Sequence, residues 1–411
     1  MKIFNRKLKI TSSALLTLCM VFVMTACAEN SSQSEKSQPA EQTTVQPTTM
    51  SAEEINDRKL DKFISDMTLE EKVGQMFFVR CPDEGAVQQV SEYNIGGYIL
   101  FGRDFDGKTK DEVVDDIHSY QNEADIPLLI GVDEEGGTVV RVSSNPNLRE
   151  TPFLSPKDTY ADGGWDAVKQ DAEEKADLLL SLGINVNLAP VCDMTSDEYA
   201  FMYDRSFSSD VDMENRYVRT VVETSKSKKL GTVLKHFPGY GNNSDTHTGI
   251  AYDDRDYSEF ENTDFKLFYQ GIESGADCIL VSHNIVNCMD SEYPASLSQK
   301  VHDILRNEFK FDGVIMTDDL IMDAITDFTG DEAAAVTAAK CGNDLLCCSS
   351  VDTQYPAVLE AVQNGEISEA QVDASVKRIL KWKQNLGIFN IDTYQKKVKS
   401  TEPTDTVESE E

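Results

Sequence analysis

Eight short apolar runs, rich in β-branched residues and separated by stretches with helical spacing, recur along this chain and restrict its fold more than any other feature. They read MFFV from Met76, GYILF from Gly97, PLLIGV from Pro127, NVNLAP from Asn185, TVLKHF from Thr232, CILVSH from Cys278, GVIMTD from Gly313 and DLLCC from Asp344. A strand written as a continuous apolar run is buried on both faces, the condition of a parallel sheet covered by helices. Amphipathic segments from Asp111, Asp171, Phe265 and Val301 supply the crossovers, and a last one from Ser375 closes the ring. The count predicts an α/β fold, a TIM-type (β/α)8 barrel in a single domain spanning residues 55–391. A doubly wound open sheet is the competing arrangement, but no Gly-rich phosphate turn follows the first strand.

The segments flanking the barrel have another character. Residues 1–27 carry a basic start (Lys2, Arg6, Lys7, Lys9), an apolar run from Ala14 to Met24 and small residues before Cys27, the pattern of an export signal. The apolar run falls short of the roughly 20 residues a transmembrane helix needs, and Met24-Thr25-Ala26-Cys27 resembles a bacterial lipobox, whose Cys is acylated. The expectation is a lipoprotein held on the outer face of the cell membrane through Cys27; an ordinary cleaved signal, or a short anchor with an incidental Cys, is the alternative. Residues 28–54 read as a disordered Ser/Gln/Thr-rich tether and residues 392–411 as an acidic tail.

The net charge of −34 argues against nucleic acid or an anionic surface as the main ligand, because both select for basic patches. Of nine cysteines, seven lie beyond Cys27, and several sit inside apolar runs. They show no CxxC pair or Cys/His ligand spacing, so they read as buried, reduced small hydrophobes rather than metal ligands. Neither metal nor cofactor is expected, and the chain is expected to be a monomer.

Barrel active sites sit at the C-terminal strand ends, and polar residues cluster there in this chain. Asp133 follows the third predicted strand, Asp193 the fourth, Lys235 and His236 the fifth, His283 the sixth and Asp318 the seventh. The Gly- and Asn-rich segment KHFPGYGNNSDTHTG, Lys235 to Gly249, predicts a long loop over the barrel mouth. In it Asp245 can orient and polarise His247 if the chain turns tightly. At GVIMTDDL one carboxylate must face the pocket and the next turn away; Asp318 is assigned the inward position, Asp319 a capping or rim bond.

These segments carry a specific resemblance. KHFPGYGNNSDTH, GVDEEGGTVVRV from Gly131, NLAPVCD from Asn187, DRSF from Asp204, PASLS from Pro294 and IMTDDLIM from Ile315 resemble glycoside hydrolase family 3, most of all its bacterial β-N-acetylhexosaminidase branch, in the family's order from about Leu69 to Gly387. The resemblance implies a carbohydrate substrate, Asp318 as nucleophile, His247 as acid/base and Asp245 as its dyad partner. It further implies that Asp133, Arg141, Arg205, Lys235 and His236 hold the hydroxyls and acetamido group of the terminal sugar. Where the family commonly reads KHFPGHG, this chain has Tyr240. The implied reaction is retaining removal of terminal β-N-acetylglucosamine from peptidoglycan fragments or related glycans. A phosphorylase, a β-glucosidase and a silent sugar-binding lipoprotein are the alternatives, the β-glucosidase disfavoured by the Asp-x-His loop.

Overall fold

The computed structural model describes residues 50–246, 249–329 and 331–396. The signal segment, Cys27, the tether before Met50, the tail from residue 397 and His247 lie outside the described residues.

All eight predicted runs form strands of one parallel sheet: β1 (Phe77–Arg80), β2 (Gly97–Leu100), β3 (Leu129–Val132), β4 (Val186–Asn187), β5 (Gly231–Phe237), β7 (Cys278–Val281), β9 (Val314–Thr317) and β10 (Leu346–Cys348). The order is β10-β1-β2-β3-β4-β5-β7-β9, and a parallel bridge from Met316 on β9 to Leu345, just before β10, joins the two ends of the sheet. Helices cover the outside, so the strands are buried except for the half-buried Arg80 at the end of β1; this is the (β/α)8 barrel that uninterrupted apolar runs demand. Two further two-residue strands, β6 (Tyr252–Asp253) and β8 (Ile285–Val286), pair with each other in parallel outside the ring. They are too short to leave a sequence signal.

The barrel interior is filled by complementary sizes. Phe78 points inward from β1, and a Cβ on Gly131 of β3 would come within 2.5 Å of its ring. Glycine there makes room for the aromatic ring, which packs below the level at which the polar strand ends begin. Outside the ring, the helix before β4 runs Pro156–Ser181, starting well before the segment predicted from Asp171, because the break at Gly163 and Gly164 reads as a turn while the chain resumes its helix beyond it. At the chain ends packing extends past the predicted 55–391. Ser51 caps the helix Ala52–Ser65, and the Tyr394 ring meets Phe63 at 5.0 Å and Phe389 at 5.7 Å. None of the seven cysteines among the described residues forms a disulfide, and six of them are buried.

One buried charge sits far from the strand ends. Lys383, on the helix Glu369–Asn385, is wholly buried and donates to Gln75 Oε1 at 2.8 Å. Burial pulls its ammonium down from 10.5 to about 7. Above its folded value the native lysine is neutral while the unfolded one still binds a proton, so stability falls as pH drops from 10.5 toward 7 and levels off below. Between pH 9 and pH 7 the wild type is expected to lose about 2–3 kcal/mol relative to Lys383→Met in paired denaturant titrations. A pH-independent difference between the two would contradict it.

Candidate active site

The C-terminal strand ends open into a cavity of about 580 Å³. Every site residue predicted from sequence and described in the structure lines it: Asp133, Arg141, Arg205, Lys235, His236, Asp245 and Asp318. They come from the ends of β3, β4, β5 and β9 and the loops that follow, residues up to 185 positions apart brought within one pocket by barrel closure.

At its centre is a buried charge cluster. Lys235 Nζ lies 2.6 Å from Asp133 Oδ1 and 2.6 Å from Glu135 Oε1. Arg205 meets the same Glu135 with two parallel bonds, Nε to Oε2 at 2.9 Å and Nη2 to Oε1 at 2.7 Å. Burial acts to neutralise Glu135, but the charges of Arg205 and Lys235 outweigh it and hold the carboxyl well below the usual range. Burial likewise opposes the charge on Lys235, and Asp133 and Glu135 overcome it, so the ammonium persists. Glu135 is therefore the hub that keeps two cations aimed into the cavity. It was not among the predicted site residues, although it belongs to the run Asp133-Glu134-Glu135 after β3; three consecutive acids at a strand end were the available signal.

Removing the hub exposes its worth. Glu135→Leu leaves the Lys235 and Arg205 charges without their shared counter-ion in a dry environment, and a stability loss of about 3–5 kcal/mol is expected in denaturant unfolding. A loss under about 1 kcal/mol, the range of exposed pairs, would mean that the cluster is held by something else.

Glu134, the middle acid, turns the other way. Its carboxylate accepts from the backbone N–H of Arg141 at 2.9 Å and of Val142 at 2.7 Å, and from the Ser143 hydroxyl. Asn187 at the end of β4 fixes it in turn, accepting from the Glu134 N–H at 3.0 Å. The loop carrying Arg141 is thus tied to the barrel through one buried side chain.

Behind Lys235, His236 is set by Asp193. The imidazole Nδ1 lies 2.7 Å from Asp193 Oδ2; since the carboxylate can only accept, Nδ1 carries the proton, and Nε2 is left to accept from Arg205 Nη2 at 3.3 Å. Asp193, predicted only as a strand-end polar residue, is fully buried and also takes the Tyr240 N–H at 2.7 Å. Tyr240 packs edge-on against His236, with centroids 5.3 Å apart, and its hydroxyl bonds to the Thr246 hydroxyl. The departure at Tyr240 therefore fills the space beneath the loop and secures the residue next to Asp245.

The root of that loop is pinned from outside the cavity. Gly239 has φ +127°, and a Cβ there would strike the Asp264 carboxylate at 1.9 Å. Arg255 bridges Asp264 (2.9 Å), Asp253 on β6 (2.8 Å) and the Gly239 carbonyl (2.9 Å). Asn243 donates to Asp253 at 2.8 Å and Thr195 to Asn242 at 2.7 Å. The small β6–β8 pair thus has a purpose in positioning: it holds the acid that anchors the loop.

On the opposite wall Asp318 Oδ1 accepts the Asp319 N–H at 2.9 Å, and the Asp318 N–H reaches back to the Val281 carbonyl at 3.2 Å. Asp319 makes the predicted rim bonds, accepting from Ser349 Oγ at 2.6 Å and Ile321 N–H at 3.2 Å, and burial raises its carboxyl above the usual value. His283, at the end of β7, is fully buried below this turn, its Nε2 donating to the Asp319 carbonyl at 3.0 Å and its Nδ1 meeting Ser296 Oγ at 2.8 Å. It supports the turn and does not line the cavity. Among the described residues no group of three His, Cys, Asp or Glu side chains is arranged to hold a metal.

Residues 68–382 match the glycosyl hydrolase family 3 N-terminal domain. A β-hexosaminidase from Hydrogenovibrio crunogenus is 31% identical over 286 residues, covering 68% of this chain and 79% of that protein. One from Nitrosomonas eutropha is 32% identical over 273 residues, covering 64% of this chain and 77% of that protein. Among solved structures, a family 3 β-N-acetylglucosaminidase from a Paenibacillus strain superposes with a TM-score of 0.74 at 29% identity, over 83% of this chain and 66% of that one.

Proposed function

Because the chain belongs to glycoside hydrolase family 3, we propose that it is a retaining exo-β-N-acetylglucosaminidase with Asp318 as nucleophile and His247 as acid/base. That it is a glycoside hydrolase of the β-hexosaminidase kind follows from family and relatives; the stereochemistry, residue roles and substrate are the proposal. The observation that carries it is the convergence of Asp318, Asp245 and the Lys235–Glu135–Arg205 cluster on one cavity, whose size suits a single small ligand.

In the first step an Asp318 oxygen attacks the anomeric carbon, the glycosidic C–O bond breaks, and the leaving oxygen takes a proton from His247. Neutral His247 then removes a proton from water as the water oxygen displaces Asp318 and restores the free carboxylate. Asp245 orients and polarises the imidazole. Lys235, Arg205 and Arg141 supply donors to sugar oxygens and Asp133 an acceptor, all held before substrate arrives, so little reorganisation accompanies the reaction. A histidine replaces the second carboxyl of the usual retaining pair; an imidazole can both give and take a proton near neutral pH.

The natural substrate is proposed to be peptidoglycan fragments ending in N-acetylglucosamine, met outside the membrane by a protein tethered through a lipid on Cys27. The support is the lipobox-like Met24–Cys27 segment and the family. The full chain should release aryl alcohol from an aryl β-N-acetylglucosaminide; no release at any pH at which the fold persists would sink the hydrolase reading. Sugar 1-phosphate formed when phosphate is supplied would identify phosphate rather than water as acceptor.

A further inference from the structure

One buried acid lies outside the cavity but is bonded to a segment that lines it. Glu214, in the first turn of the helix Val211–Lys228, is fully buried. Its Oε2 accepts the Ser208 N–H at 2.7 Å, and its Oε1 has no hydrogen-bond partner among the described residues. The titratable groups that face it are Asp193 and Cys192 from the run after β4, Lys157 from the first turn of the helix Pro156–Ser181, and Tyr217 from its own helix. Lys157 spends its ammonium elsewhere: it donates to the Tyr203 carbonyl at 2.6 Å and lies 3.6 Å from the centre of the Tyr203 ring. Burial, joined by the Asp193 charge, outweighs the Ser208 bond and Lys157, so the Glu214 carboxyl is held well above the usual range and keeps its proton.

Tyr203 and Ser208, the two residues so bonded, bracket Arg205. Between them the Arg205 and Ser206 N–H groups turn back onto the Met202 carbonyl at 3.1 and 2.8 Å, and the Phe207 ring stacks on Tyr217 with centroids 4.7 Å apart. Arg205 presents its guanidinium flat to Glu135 for two parallel bonds, and such a fork tolerates little movement of the backbone that carries it. We propose that Lys157 and Glu214 are positioning residues for Arg205, fastening its segment to two helices, one through the Tyr203 carbonyl and the other through the Ser208 N–H. Glu214 does this as an uncharged acid, since an anion enclosed beside Asp193 would be repelled. The proposal rests on the glycosidase reading only for what Arg205 holds, the terminal sugar.

The test compares the full chain with Glu214→Leu, Glu214→Gln and Lys157→Met. Leucine offers Ser208 no acceptor, whereas glutamine keeps one without charge. With an aryl β-N-acetylglucosaminide, KM should rise about tenfold in Glu214→Leu and in Lys157→Met while kcat stays within about threefold, because Arg205 holds the sugar alike in ground and transition states. Glu214→Gln should restore the wild-type KM. A KM that stays within about twofold in either disruptive variant overturns the two-point attachment, even where stability falls, since that is what merely structural residues would give. Lys157 is only half-buried, so its variant decides even if Glu214→Leu fails to fold.

Two further measurements need no substrate. Amide hydrogen exchange over residues 203–208 should quicken about tenfold in the disruptive variants and match the wild type in Glu214→Gln, the size of one hydrogen bond lost. Quicker exchange in a protein that turns over no glycoside upholds the attachment and removes the hydrolase reading; unchanged exchange overturns the attachment. Denaturant titration tests the charge. Native Glu214 keeps a proton that the unfolded chain releases above the ordinary value of 4.5, so stability falls as pH rises past that value. From pH 5 to pH 7 the unfolding constant of the wild type should rise relative to Glu214→Gln by about tenfold per pH unit. A ratio independent of pH overturns the uncharged role.

Discussion

Asp318→Asn is expected to remove nearly all turnover of an aryl β-N-acetylglucosaminide, a fall in kcat on the order of 10⁴-fold or more, as deletion of a covalent nucleophile does. The amide is nearly the same size as the carboxylate, and its oxygen can still accept the Asp319 N–H now bound at 2.9 Å. The backbone bond from Asp318 to Val281 is untouched. The turn should therefore keep its shape, and thermal unfolding should match the wild type while the rate collapses. An amide cannot supply the negative charge that stabilises the developing oxocarbenium ion, nor form an ester that water later cleaves. A variant that kept more than about one hundredth of wild-type kcat would remove Asp318 from the nucleophile's position.

The second large effect is expected at His247. His247→Ala should lose on the order of 10² to 10⁴-fold on disaccharides, the usual size of general acid/base catalysis, and markedly less on aryl glycosides whose leaving group needs no proton. Kinetics with a series of leaving groups read this directly. The slope of log kcat/KM against leaving-group pKa should steepen in the variant, and equal losses across the series would contradict the role of acid. The prediction draws on the surroundings of the loop, since His247 itself lies outside the described residues. Asp245 faces the cavity and Thr246 is tied to the buried Tyr240. Arg255, Asn243 and the Thr195–Asn242 bond hold the loop's root.

The two substitutions test different parts of the proposed reaction. Asp318 sits on a short turn braced by His283 and Ser349, a rigid mount suited to an attacking oxygen. The segment leading to His247 is rich in glycine and anchored at its base by Arg255, Asn243 and the Thr195–Asn242 bond.

Much of the fold was legible because parallel barrel strands are buried on both faces and so appear as bare apolar runs; Cys278–Val281 and Val314–Thr317 could hardly be anything else. The strand-end residues Asp133, Lys235, His236 and Asp318 followed from where those runs stop. Glu135 and Arg80 did not. In Asp133-Glu134-Glu135 the three acids are chemically alike, and which one meets the substrate side, which ties down the Arg141 loop and which pairs two cations depends on how the chain turns after β3. Arg80 read as the tail of a strand, since nothing in FFVR tells that its side chain lines the cavity. Tyr240 showed itself as a departure from the family pattern, but its task needed the positions of Asp193, His236 and Thr246.

The sequence by itself determined the barrel, the order of its strands and the family, because hydrophobic periodicity and local motifs are properties of neighbouring residues. Tertiary structure alone decided the charge logic of the site. Glu135 is separated from Arg205 and Lys235 by up to 100 positions in the chain and lies less than 3 Å from each in space. Whether a buried cation keeps its charge through such a partner, as Lys235 does, depends on distance and desolvation, and both exist only once the ring has closed.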